Sequence, residues 1–320
     1  MQHTQNQFSH SEAKAKFTST FLKLLQSRNV GPEFLSWDLK TIGDITNLFD
    51  LETAAIRLLE AIKNNEKIAV YGDYDVDGTT SCALLFHFFK FFNLEVDLIQ
   101  PSRFIEGYGV HVSSIDEAIN RNVDVLITVD CGITGHDAAE YAKHRGLDLI
   151  ITDHHADANE TLPEAFAIIN PNRKDETCPS ELKALAGVGV AFALALKMKQ
   201  LFEQNPDNEK PLPSLYPLLQ FLAVGTISDL APINTLNARL IRHGLKQLPK
   251  SQYQGLRQFL SPEEKKLEVL PSEKVSFNIG PLINSKGRLE HPEQALQLLT
   301  YSDPNDCFEL YNVLNESNSE

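Results

Sequence analysis

The stretch Ile68-Ala69-Val70-Tyr71-Gly72-Asp73-Tyr74-Asp75-Val76-Asp77-Gly78-Thr79 decides the fold. Its first four residues are a short apolar run of the kind that forms a buried strand. Gly72 and three aspartates at alternate positions then end it. A helical pattern follows over 81–92, carrying Leu84, Leu85, Phe88, Phe89 and Phe92. The same texture recurs downstream. Apolar runs at 96–99, 125–129, 149–152 and 166–169 are continuous instead of alternating, as in strands covered on both faces. Helix-like segments at 114–120 and 136–144 lie between them. Strand-helix alternation of this kind predicts an α/β fold: a doubly wound, mainly parallel five-stranded sheet flanked by helices, with right-handed crossovers.

Three segments are expected. Residues 1–65 read as an amphipathic helical extension, with Phe17, Phe21, Leu24 and Leu25, then Ala54, Leu58, Leu59 and Ile62, at helical spacing. Residues 66–235 form the α/β domain. Residues 236–320 form a helical and loop segment. Within the last two, helices are expected at 186–199, 215–224, 238–248, 292–299 and from 305 onward. Residues 204–214 and 261–275 read as loop or turn. Gly187 and Gly189 lack a third glycine and a preceding strand, so they are read as permitting close helix packing and not as a dinucleotide fingerprint.

Composition narrows the function. The 320 residues hold 43 acidic and 29 basic side chains, a formal net charge of -14. That excludes a charge-driven nucleic-acid coat, but not a nuclease, which needs carboxylates for its metals. No run of about 18 apolar residues marks a membrane span, and residues 1–10 do not read as a secretory leader. Cys82, Cys131, Cys178 and Cys307 are scattered, without a C-x-x-C pair, as in a reduced, cytoplasmic protein.

The chemistry gathers at the carboxyl ends of the predicted strands, where α/β sheets bind ligands. Asp73, Asp75 and Asp77 follow the first strand, Asp130 the third, and Asp153-His154-His155 the fourth. Asp229 follows a later helix. Carboxylates so close together repel one another without a cation. Carboxylate oxygen suits hard divalent cations, and imidazole suits Mn2+ or another transition metal. Asp130 is placed to bridge two ions, the arrangement that clamps both oxygens of a phosphoryl transfer. Of the two adjacent histidines, one can ligate metal while the other faces a substrate phosphate, with Asp153 orienting an imidazole from behind. An EF-hand is ruled out because Leu84 stands where its bidentate glutamate is required. An aspartyl-phosphatase loop leaves His154 and His155 unexplained.

These residues resemble the DHH phosphoesterase superfamily, and within it the branch of single-strand-specific 5′→3′ exonucleases, over about residues 45–320. The likeness is carried, in order, by 71–79; by Pro101-Ser102-Arg103-Phe104 with Glu106-Gly107-Tyr108-Gly109; by 129–133 and 152–155; by Asn170-Pro171-Asn172; by 185–191 and 225–229; and by Asn284-Ser285-Lys286-Gly287-Arg288. The resemblance implies two Mn2+ or Mg2+ ions, one on Asp73, Asp75 and Asp130 and one on Asp77, Asp130, His154 and Asp229. It implies that Asp130, His155 and Arg288 are catalytic, and that Arg103, Phe104, Tyr108, Asn284 and Lys286 join His155 and Arg288 in binding substrate. The implied partner is single-stranded DNA with a 5′ end, alongside a single-strand-binding protein and a helicase; no membrane is involved. Leu282 departs from the arginine usual in the family. The family also continues beyond a linker helix, so this chain is expected to be an amino-terminal portion with weak activity alone. A DHH enzyme for short oligonucleotides or cyclic dinucleotides, and a non-catalytic replication scaffold, are the competing readings.

Overall fold

A computed structural model describes residues 19–28, 30–41, 44–101, 107, 109–156, 161–208, 210–285 and 293–317. The five apolar runs form strands β1 (Ile68–Gly72), β2 (Asp97–Ile99), β3 (Val125–Val129), β4 (Asp148–Thr152) and β5 (Ala167–Ile169). They pair in the order β2-β1-β3-β4-β5, all parallel, with Gly72 opposite Val129 and Val129 opposite Thr152. Successive side chains point to opposite faces, and both faces are packed. Ile68, Val70, Ile127, Val129, Ile150 and Ile169 enter one core, while Ala69, Tyr71, Leu126, Leu149, Ile151 and Ile168 enter another. Two apolar faces erase the alternation, which is why the strands read as unbroken apolar runs.

The α-helices of five residues or more are, in chain order, α1 (Ser19–Ser27), α2 (Leu51–Asn64), α3 (Val76–Phe89), α4 (Val112–Asn120), α5 (His136–Arg145), α6 (Gly187–Gln204), α7 (Leu219–Ser228), α8 (Thr235–Gln247), α9 (Gln254–Gln258), α10 (Gly280–Ser285), α11 (Glu293–Thr300) and α12 (Pro304–Ser317). Helices α4 and α5 cover the smaller core; α2, α3, α6, α7 and α8 build the larger one. That larger core runs on without a break through α9, α11 and Leu314 of α12. Among the described residues no helix is long and apolar enough to cross a membrane.

The chain leaves β1 through α3 to β2 on one side, then returns through α4 to β3 on the other side of β1. The carboxyl ends of β1 and β3 therefore flank a topological switch point, where a crevice opens. At the opposite edge, β5 is closed off by side chains: Ile168 N donates to Asp50 Oδ2 (3.2 Å) and Ile168 O accepts from Arg173 Nη1 (2.6 Å). An edge strand covered in this way cannot pair with another chain.

Helix boundaries differ from the sequence expectation in instructive ways. Helix α3 begins at Val76, because Asp75 caps it by accepting from Gly78 N at 2.9 Å. Helix α7 continues through Gly225 to Ser228. Residues 261–275 are partly helical, and a π-turn over Val275–Ile279 leads into α10. Between α1 and α2 the extension is not a continuous helix but carries short 3-10 turns, Pro32–Leu35 and Leu39–Thr41. Pro32 stands at the first position of its turn, where a missing N–H costs nothing. The arm is held down by α8, whose Arg239 Nη2 donates to Glu33 O (2.8 Å), while His243 Nε2 lies 2.6 Å from Trp37 O.

Candidate metal centre

Asp77 lies in the first turn of α3 and is 1% exposed. Its carboxylate is held by the start of α6: Gly187 N donates to Oδ2 at 2.6 Å and Val188 N to Oδ1 at 2.9 Å. Helix α6 follows Ala186, which has no side chain able to cap it, so its first amides serve a distant carboxylate instead. Glycines permit these approaches. A Cβ on Gly187 would stand 2.7 Å from Asp130 Cβ, and one on Gly225 would stand 2.8 Å from Asp77 Oδ1. Asp130 follows β3 in the left-handed region (φ 59) and is buried.

The imidazole of His154 enters among these acids. Its Nε2 lies 3.1 Å from Asp130 Oδ1, 3.8 Å from Asp77 Oδ2 and 4.0 Å from Asp229 Oδ2. That nitrogen is buried and makes no hydrogen bond among the described residues. Ligand atoms of Asp77, His154 and Asp229 lie within 4.8 Å of one another, as do those of Asp130, His154 and His155. His154 thus belongs to two groups, each able to hold an ion. Asp153, 1% exposed, organises the turn from below. Its Oδ1 accepts from His154 N (2.7 Å) and His155 N (3.0 Å) and lies 2.8 Å from His155 Nδ1; its Oδ2 accepts from Ile133 N (2.9 Å). The contact fixes His155 Nδ1 against Asp153 and turns Nε2 the other way.

The electrostatics fit a cation. Burial, reinforced by Asp75 and Asp229, pushes the Asp77 carboxyl well above the usual carboxylate range. Burial and the charges of Asp77 and Asp75 do the same to Asp130. Asp229 is pushed up to about 6 by burial and Asp75. His154 is lowered to about 4 by burial and by His155, so its ring is neutral at pH 7. His155 is raised, chiefly by its bond to Asp153. Acids that resist ionising around a neutral imidazole are what a divalent ion relieves, since its charge favours the carboxylates and its coordination needs the unprotonated nitrogen.

The structure brings Asp77, Asp130, His154, His155 and Asp229 together around this crevice. Asp73 and Asp75 adjoin it but belong to neither ligand group. Asp75 spends Oδ1 on its cap. Asp73 is buried, and its carbonyl accepts from Gln100 Nε2 at 2.9 Å. Asn284 lies half-buried in α10, and Leu282, two residues earlier, is packed in the larger core. Arg103, Phe104, Tyr108, Lys286 and Arg288 lie outside the described residues. Sequence reasoning missed the grip of the α6 amides on Asp77. The signal for it was the helix start at Gly187 with no capping side chain before it.

A parallel α/β sheet with a carboxylate-imidazole cage at its switch point defines a metal-binding domain of the phosphoesterase kind. The chain belongs to the DHH family, whose N-terminal domain matches residues 67–226. It is 37% identical over 270 residues to the single-stranded-DNA-specific exonuclease RecJ of Bacillus subtilis (strain 168), covering 84% of this chain and 32% of that protein. The crystal structure of exonuclease RecJ bound to manganese superposes with a TM-score of 0.75 at 32% identity, covering 85% of this chain and 66% of that one. RecJ in complex with Mn2+ from Thermus thermophilus gives a TM-score of 0.73 at 30% identity, covering 92% and 43%. The chain thus spans about one third of the length of the Bacillus relative.

Proposed function

We propose that this chain is the catalytic portion of a two-metal phosphodiesterase that removes nucleotides from the 5′ end of single-stranded DNA in repair and recombination. The observation that carries the reading is the convergence of Asp77, Asp130 and Asp229 on His154 Nε2 within 4.0 Å. The likeness to RecJ bound to Mn2+ and, in a further structure, in complex with Mg2+ supports the choice of metal and of substrate.

In this reading Asp77, Asp130, His154 and Asp229 hold one ion, and Asp130 shares a second with Asp75 and Asp73. The ions, when bound, supply Lewis acidity to the phosphate and lower the pKa of the attacking water. The protein does the rest. Asp130 would serve both ions. His155, held by Asp153, presents Nε2 to a non-bridging phosphate oxygen and donates as charge develops there. Arg288 clamps phosphate in two-pronged fashion. Phe104 and Tyr108 offer faces for unpaired bases, with Arg103, Asn284 and Lys286 along the strand. The DHH catalytic domain is 66–235, completed by Asn284 and Arg288 of the segment that follows it; the enzyme acts in the cytoplasm and meets a single-strand-binding protein and a helicase on the same DNA.

Asp130→Asn tests the reading. Hydrolysis of 5′-labelled single-stranded DNA is expected to vanish while circular dichroism stays that of the wild type. Retained turnover in that variant, or digestion by the wild type starting from the 3′ end, would reject it.

A further inference from the structure

Asp153 takes both amides of the His154-His155 turn. The two carbonyls of the same turn are held elsewhere. Asn172 Nδ2 donates to His154 O at 2.6 Å, and Asn170 Nδ2 donates to His155 O at 2.9 Å. Asn170 is fully buried, and its Oδ1 accepts from Asn172 N at 2.7 Å, so the Asn170 carboxamide holds the Asn172 main chain. Pro171 between them locks one backbone torsion. The amide of Asn172 also reaches Lys183 O at 3.3 Å. Lys183 lies in the 3-10 turn Ser180–Ala184, which feeds directly into the α6 amides that grip Asp77. One side-chain nitrogen therefore joins the backbone carrying His154 to the backbone that holds the opposing carboxylate.

We propose that Asn172 is a positioning residue of the metal centre, setting the separation between the His154 ring and Asp77, with Asn170 as its brace. The inference rests on reading this crevice as a metal centre. A metal ligand must sit within about 0.2 Å of its ideal distance. His154 Nε2 already stands 3.1 Å from Asp130 and 3.8 Å from Asp77, so a shift of its main chain moves the nitrogen across that tolerance. A hydrogen bond to a main-chain carbonyl moves the whole residue, ring included. Partners that orient ligands in this way are worth about 10–100-fold in metal affinity. An ordinary loop tie would affect stability alone.

The test is Mn2+ binding to the full chain by calorimetry, with no DNA present. Asn172→Ala removes both donors, and Asn172→Asp does so at constant size. Both are expected to raise the Mn2+ dissociation constant about tenfold or more while melting cooperatively. Asn170→Asp, which leaves the donor to His154 O in place, is expected to lose less. Affinity within about twofold of wild type in cooperatively melting Asn172 variants would overturn the assignment. So would loss of cooperative melting in both, which would make the residue a determinant of the fold. A wild type that binds Mn2+, shows the Asn172 effect and leaves single-stranded DNA intact would sink the exonuclease reading and leave this one standing. A wild type that binds no Mn2+ would sink both.

Discussion

Leu230 follows Asp229 at the end of α7, with φ 58 and 85% of its surface exposed. Leu230 N donates to Ile227 O and Ala231 N to Thr226 O, closing the helix in the manner that normally uses glycine. A Cβ in that conformation costs about 1–2 kcal/mol, and a side chain this exposed recovers little by burial. Leu230→Gly is therefore expected to raise stability by about 0.5–1 kcal/mol, once the added freedom of glycine in the unfolded chain is subtracted. The urea midpoint should rise; a fall would mean that Leu230 makes contacts outweighing its strain. At this scale the acids and histidines were legible because polar side chains at the ends of apolar strands have no packing reason to be there. Asn170 and Asn172 were visible as a block but not as a device. Their acceptors are main-chain carbonyls 15 and 18 residues away, and a carbonyl leaves no mark in a sequence.

Among elements, the strands were readable because burial on two faces writes itself as composition. The start of α3 was not, because residues 76–80 (Val-Asp-Gly-Thr-Thr) have weak helix propensity. They are helical through the Asp75 cap and the hold of α6 on Asp77, both consequences of the folded site. The tie between α3 and α11 was equally hidden. His87 stacks on Phe221, lies against Tyr253 and places Nε2 2.9 Å from Leu299 O. Burial lowers its pKa to about 4, so the ring is neutral when folded. Unfolded, it protonates near 6.5. Between those values the unfolded chain binds the extra proton, so the contribution is complete above about pH 6.5 and is lost as pH falls toward 4. At 1.36 kcal/mol per pH unit this is worth at most about 3 kcal/mol. His87→Gln keeps a donor for Leu299 O and removes the titration. It should cost about 1 kcal/mol at pH 7 through lost ring contacts, and its stability should fall less steeply than wild type on acidification. Parallel curves from pH 7 to 4 would contradict this.

For the molecule as a whole, folding draws Asp77, Asp130 and Asp229 into one crevice of a chain whose net charge is already -14. Each of these acids is raised in the folded state, Asp229 to about 6, so the folded chain retains protons that the unfolded chain releases near pH 4. The sign is opposite to that of His87: the metal-free protein loses stability as pH rises through this window, and the penalty is complete above it. A divalent ion reverses the penalty, but it must displace those protons to bind. Mn2+ at about 100 times its dissociation constant adds about 2.7 kcal/mol, a melting-temperature gain of roughly 5 °C for a domain this large. At one fixed Mn2+ concentration the gain should be larger at pH 8 than at pH 5.5, should vanish with EDTA, and should shrink in Asp130→Asn. Thermal melts with and without Mn2+ at the two pH values measure it directly. Equal gains at both would mean that the bound ion displaces no protons from these three carboxyls, and that the acids converging on His154 are not its ligands.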